Sequence, residues 1–249
     1  MIFTIAGKEL RSLFLSPLAW VVMAIVEAIL AYFFLIYLDY FVQIQPQLAQ
    51  MEGAPGITDM VVAPLFATAA TVLLLVTPLL TMRLLSEEQR NQSLSLLLSA
   101  PISISEIILG KFCGILAFQV LTLWLILLMP LSLLFGGALD MGMLLSGVLG
   151  LLLLLASFSA LGLFMSALTQ QPVIAAISTF GILVLLWVLD LASSTGEKSQ
   201  LFAYLSMLSH YQSMLKGVFS SSDFIYYLLF ITLFLVLSIH RLDSKRLQG

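Results

Sequence analysis

Arg83-Leu-Leu-Ser-Glu-Glu-Gln-Arg-Asn-Gln-Ser-Leu-Ser-Leu-Leu-Leu-Ser-Ala-Pro101, running on through Glu106 to Gly110-Lys111, is the charged island between two long apolar runs. Its pattern predicts a short helix followed by the entry to a long one. Ser86 can cap the short helix, with Gln89 three residues on closing a capping box. Glu87 and Glu88 would then fall in the first turn, where the helix dipole favours negative charge. Leu94, Leu97 and Leu98 share one face, and Pro101 stops the helix. Ser103 and Glu106 form a second capping box ahead of the next apolar run. A charged, folded connector of this kind suits docking of a soluble partner. An ordinary loop between two spans is the other reading of the same pattern.

Outward from that island the chain is apolar. Of 249 residues 61% are hydrophobic and 9% charged, and the mean hydropathy is +1.12. Soluble domains carry about 25% charged residues, so this composition describes a membrane protein. A helix needs about 20 apolar residues to span a bilayer. Six stretches meet that length: 17–38, 61–82, 104–135, 141–168, 173–191 and 224–240. The expected fold is an all-α polytopic membrane protein, one transmembrane domain over 1–249 with six transmembrane helices. Residues 1–15 put Ile2, Ile5, Ala6, Leu10, Leu13 and Phe14 on one helical face and Thr4, Lys8, Arg11 and Ser12 on another, the pattern of an interfacial helix. The apolar stripe within 192–222 predicts short helices at the outer surface, resting on or dipping into the outer leaflet.

Lysine and arginine set the orientation. With six spans, Lys8, Arg11, Arg83, Arg90, Lys111, Arg241, Lys245 and Arg246 share one side, while Lys198 and Lys216 lie on the other. That asymmetry puts both termini and the 83–111 connector in the cytoplasm.

The chain carries no His-Glu-x-x-His pattern, no G-x-S-x-G elbow and no Walker A loop, so it is not expected to be an enzyme, and it has no basic patch for nucleic acid. Cys113 is the single cysteine, which excludes an intrachain disulfide and a cysteine metal cluster. Glu27 stands in the middle of the first span. An intramembrane carboxyl there reads either as a lining residue of a substrate path or proton site, or as a structural group bonded to a neighbouring serine or threonine. Ser146/Gly150, Ala156/Ala160 and Gly162/Ser166 let another helix approach closely, within one subunit or across a dimer.

Six spans, the opening Lys8-Glu9-Leu10-Arg11 through Ser16-Pro17, and Glu87 to Pro101 followed by Glu106 and Gly110-Lys111 together resemble the ABC-2 type permease family over essentially the whole chain. That family's connector looks like E-x-x-x-G-T-x-x-x-L-L-x-x-P, and its Gly-Thr is Gln92-Ser93 here. Ser209-His210-Tyr211, Gly217, Asp223 and Tyr226-Tyr227 are similar to the gliding-motility branch. The resemblance implies a permease subunit in a bacterial inner membrane, paired with itself or a sister permease, coupled to a separate cytoplasmic ATPase that holds ATP and magnesium. No cofactor is implied on this chain. Residues 86–100 would be the coupling helix: Ser86 opens it, Glu87, Glu88 and Arg90 supply polar contacts, and Leu94, Leu97 and Leu98 anchor it. Lys8 and Arg11 would add a second ATPase contact. The complex would export a substrate or act mechanically on an extracytoplasmic partner. A permease for nitrous-oxide reductase maturation shares this architecture, and an ion-coupled secondary transporter is the rival from another class.

Overall fold

The computed structural model describes residues 1–48, 50, 55–93, 102–135, 139–195 and 206–248, without the side chains of 189–195 and 246–248. Among the described residues every regular element is helical. In chain order these are α1 (Ile2–Leu15), α2 (Pro17–Leu48), a π-helical turn (Thr58–Val62), α3 (Ala63–Thr81), α4 (Arg83–Arg90), α5 (Ile104–Ser132), a 3-10 turn (Leu133–Phe135), α6 (Met141–Leu168), α7 (Pro172–Thr195), α8 (Met207–Leu215) and α9 (Ser221–Gln248). Five helical stretches are long and apolar enough to cross a membrane: Pro17–Leu48, Thr58–Arg90, Ile104–Phe135, Met141–Leu168 and Ser221–Lys245. The remaining apolar helix qualifies only as a shorter one, over Pro172–Val188.

α6 is the pillar of the bundle. It is apolar all round, and a helix of that kind is stable only when surrounded. Its buried residues run from Leu144 to Ala167 and join both hydrophobic clusters, one around Phe66, Phe158 and Tyr211 and one around Leu85, Ile108 and Ala160. In a bilayer, lipid is as apolar as leucine, so helices associate through close packing more than through burial. Small residues on α6 provide it. A side chain at Gly147 would meet Phe66, one at Gly150 would meet Met214 and Tyr211, and one at Gly162 would meet Thr81. The small-residue steps of this helix are therefore used within the chain.

α1 is packed onto the bundle. Its predicted apolar face is the half-buried one, and it rests on α5. Gly110 and Gly114 of α5 form the seat: a Cβ at Gly110 would lie 2.7 Å from the Ile5 Cβ, and one at Gly114 would lie 2.7 Å from the Glu9 Cβ. Ser16 is extended and separates α1 from α2, and the exposed Trp20 closes the corner by donating its indole N–H to the Phe14 carbonyl at 2.8 Å. Gly114→Val should push α1 off this seat, and limited proteolysis should then cut within residues 2–15 while the remaining chain stays intact.

Three expectations change at the connector. The short helix starts at Arg83, so Ser86 is inside it and does not cap it, and Glu87 and Glu88 are outside its first turn. The local capping signature yields because the chain enters α4 directly from α3, with Met82 as the junction in αR geometry. The helix also ends at Arg90, where Asn91 and Gln92 make a turn, so 86–100 is not one continuous helix. Gln92 has φ 56, the left-handed region where glycine is at ease. This is the position at which the resembling family carries glycine, and the geometry supplies the reason. Leu94, Leu97, Leu98 and Pro101 lie outside the described residues. The Ser103–Glu106 capping box forms as expected, each side chain accepting from the other's backbone N–H.

Pro64 sits in the first turn of α3, directly after the π-helical turn, while Pro78 and Pro130 lie inside α3 and α5. α8 takes up part of the expected outer segment. Its stripe of Met207, Tyr211, Met214 and Leu215 is buried in the protein against α6 and α3, instead of resting on lipid. Leu201, Tyr204 and Leu205, which belong to the apolar stripe expected within 192–222, lie outside the described residues.

Candidate functional site

α4 has two unlike faces. Leu84, Leu85, Ser86 and Gln89 are buried, while Arg83, Glu87, Arg90 and Asn91 are exposed and recur at the three- and four-residue steps of one helical stripe. The polar residues singled out in the sequence for partner contact thus divide. Glu87 and Arg90 face out. Ser86 and Glu88 are engaged within the chain.

Glu88 belongs to a buried charge cluster that joins three elements. Lys111 of α5, whose side chain is 1% exposed, donates from Nζ to Glu9 of α1 at 2.6 Å and to Glu88 of α4 at 2.8 Å. Lys8 Nζ approaches the same Glu88 oxygen at 3.8 Å. A lone buried ammonium is costly, and two carboxylates in contact with it offset that cost. The second Glu88 oxygen is buried without a hydrogen-bond partner among the described residues. Beside the cluster a cleft of about 360 Å³ opens between α1 and α4, lined by Lys8, Ser12, Arg83, Glu87 and Asn91 among others. Lys8 and Arg11 are exposed on α1, and they share a shallow groove with Gly7, Ser12 and Leu15.

The inner face of α4 is bonded to α6 and α9. Ser166 Oγ accepts the N–H groups of Leu85 and Ser86, both at 3.0 Å, and donates to the Met82 carbonyl at 3.0 Å. Ser86 Oγ donates to that same carbonyl. Gln89 Nε2 donates to the Ala167 carbonyl at 3.1 Å. Lys245 of α9 donates to Gln89 Oε1 at 2.5 Å and to the Ala167 carbonyl at 3.1 Å. A cation at the C-terminal end of α6 also suits the helix dipole.

Glu27 is half-buried on α2, and its Oε1 is buried with no hydrogen-bond partner among the described residues. Gln119 of α5, which sequence reasoning passed over, is a buried polar side chain inside the bundle. Its Oε1 accepts from Ser159 Oγ at 2.9 Å, and its Nε2 has no partner among the described residues.

At the far end of the bundle, His210 Nδ1 pairs with Asp223 Oδ1 at 2.7 Å, Ser213 Oγ donates to Asp223 Oδ2 at 2.6 Å, and the His210 ring stacks on Tyr226 at 4.4 Å. The serine and histidine both address the aspartate. The serine is not bonded to the imidazole, so this is a clasp between α8 and α9, not an activated nucleophile. Tyr211 donates its hydroxyl to the Phe66 carbonyl at 3.1 Å, and burial pushes that hydroxyl well above its ordinary range and keeps it a donor. Tyr227 donates to the Met207 carbonyl at 2.7 Å. Among the described residues, no group of three or more His, Cys, Asp or Glu is placed to hold a metal ion.

A family model described as "ABC-2 family transporter protein" matches residues 3–247. No curated protein matches the chain.

Proposed function

The chain belongs to the ABC-2 family of transporter proteins, whose model matches nearly its whole length, and from that premise we propose that a separate cytoplasmic ATPase docks on the α4 connector and drives the bundle through it. The observation that carries this reading is the two-faced α4. One face is bonded to α5, α6 and α9, and the other presents Arg83, Glu87, Arg90 and Asn91. A soluble engine can move membrane helices only through a stiff element held on one side and gripped on the other. In this reading Glu87 and Arg90 contact the ATPase, and Ser86 and Glu88 fix the connector to the bundle. Leu94, Leu97 and Leu98 anchor the segment that follows, and Lys8 and Arg11 add a second contact beside the cleft. ATP and magnesium reside on the partner.

The lysine and arginine asymmetry supports cytoplasmic termini in a bacterial inner membrane. We place a sixth span at α7: its 24 residues would reach about 36 Å, enough for a hydrocarbon core of about 30 Å. Pairing with a second copy or a sister permease accords with the exposed apolar residues of α2 and α9, such as Ile25, Ile29, Leu229 and Leu233. Membership of the gliding-motility branch is supported by the clasp that gathers His210, Asp223 and Tyr226, and this branch would act on an extracytoplasmic partner protein. Glu27 is assigned to the substrate path. Glu27→Gln should impair transport while leaving the yield of folded chain unchanged, and unchanged transport would remove that assignment.

Affinity capture of the detergent-solubilised chain from its host tests the main reading. The wild-type chain should bring down an ATP-binding subunit, and Glu87→Ala/Arg90→Ala should lose it without loss of fold, because both side chains are exposed. Equal recovery from both chains would move the docking surface elsewhere.

A further inference from the structure

We propose that Ser166 and Lys245 are positioning residues that convert motion of α4 into motion of α6 and α9, an inference that rests on the docking role of α4 given above. α4 follows α3 through the single residue Met82. At that junction the Ser166 hydroxyl stands inside the backbone ladder, taking the N–H groups of Leu85 and Ser86 and giving its proton to the Met82 carbonyl. A side chain inserted in this way is a recognised cause of a bend between helical segments. A bend held by the backbone alone is a hinge. It would let α4 swing under its partner without turning anything behind it.

The side ties change that. Ser166 is fully buried and belongs to α6, one turn from Gly162, where Thr81 of α3 packs closest. One turn further along α4, Gln89 bonds to the Ala167 carbonyl, and Lys245 bonds to both Gln89 and that carbonyl. The connector is thereby joined at two levels, by Ser166 and by Gln89, to the end of the most enclosed helix, and through Lys245 to the last turns of α9. Two attachment levels resist rotation where one does not. A push on the exposed face of α4 then reaches α6 directly, and α6 carries it the length of the bundle to the α8 clasp, where Ser146 Oγ donates to the Met214 carbonyl at 2.8 Å.

The test uses the chain with its co-purified ATPase in lipid nanodiscs. Spin labels go at Leu145 of α6 and Val42 of α2, both exposed and both far from the connector, on a Cys113→Ser background. In the wild type, ATP with magnesium should change the distance between the labels. Ser166→Ala and Lys245→Met should each keep the ATPase bound and hydrolysing, yet lose that distance change. A merely stabilising role would lower the melting temperature and leave the ATP-driven change in place. If Ser166→Ala does not fold, Lys245→Met, which removes the tie from a half-exposed site, decides the matter alone. Full ATP-driven motion in the folded variants would overturn the proposal and leave the docking reading standing. A wild-type chain that recovers no ATPase would instead overturn the docking reading, and this inference with it.

Discussion

Lys111→Met is expected to destabilise the folded chain by about 3–5 kcal/mol, the range for breaking a buried ion pair by removing one partner. Methionine matches the stem of the lysine, so packing is retained and only the ammonium is lost. That loss leaves Glu9 and Glu88 facing each other across a site where Lys111 was 1% exposed, with one Glu88 oxygen already unpartnered among the described residues. The cluster also ties α1 and α4 to α5, so the variant should loosen both elements at that contact while the glycine seat of α1 and the Ser166 and Gln89 ties of α4 remain. Thermal unfolding in detergent, followed by size-exclusion fluorescence, measures the loss. Adding Glu9→Gln and Glu88→Gln to Lys111→Met removes the stranded charges and should recover most of it. A triple variant no more stable than Lys111→Met would mean that the charge cluster is not what holds these helices.

Gly162→Val is the second large effect. A Cβ there would lie 2.1 Å from the Thr81 Oγ1 and 2.7 Å from its Cβ. Thr81 cannot yield easily: it is β-branched, fully buried, and its hydroxyl donates to the Thr77 carbonyl at 2.9 Å. α3 and α6 must therefore separate next to the Met82 junction, at a cost at or above the ~1–3 kcal/mol typical of overpacking. Thr81→Gly should relieve part of this in the double variant. Gly181→Ala is the control. Nothing lies within 4 Å of a Cβ at that position, and its effect should stay within about 0.5 kcal/mol.

What the sequence made legible is what local pattern determines. The all-helical plan follows from apolar run lengths, the Ser103–Glu106 box from residue identity at a fixed step, and the inward face of α1 from its periodicity. Where a local signal met a continuing chain, it failed. Ser86-x-x-Gln89 has the letters of a helix start, but α3 runs into α4 and leaves no start to cap. What stayed hidden is long-range pairing. Nothing near Lys111 announces that its partners are Glu9, 102 residues away, and Glu88, 23 residues away. Gly110 was read as part of a Gly-Lys motif, although its four-residue step to Gly114 is the signal for a close helix seat. Ser166 was noted as a small residue, and its role appears only when its hydroxyl meets the backbone of another helix. The division of Glu87 from Glu88, adjacent in sequence, follows from the turn of about 100° between neighbouring helical residues.

The claim at the centre of this account is that the outward face of α4 is gripped by an ATP-binding protein, and photocrosslinking in the native host tests it most directly. A photoreactive amino acid is placed at Glu87 or Asn91, and at Ile29 on the exposed apolar face of α2 for comparison. The account predicts adducts with one nucleotide-binding subunit from positions 87 and 91 and none from position 29. A folded chain at normal abundance that gives no nucleotide-binding adduct from either α4 position would contradict it.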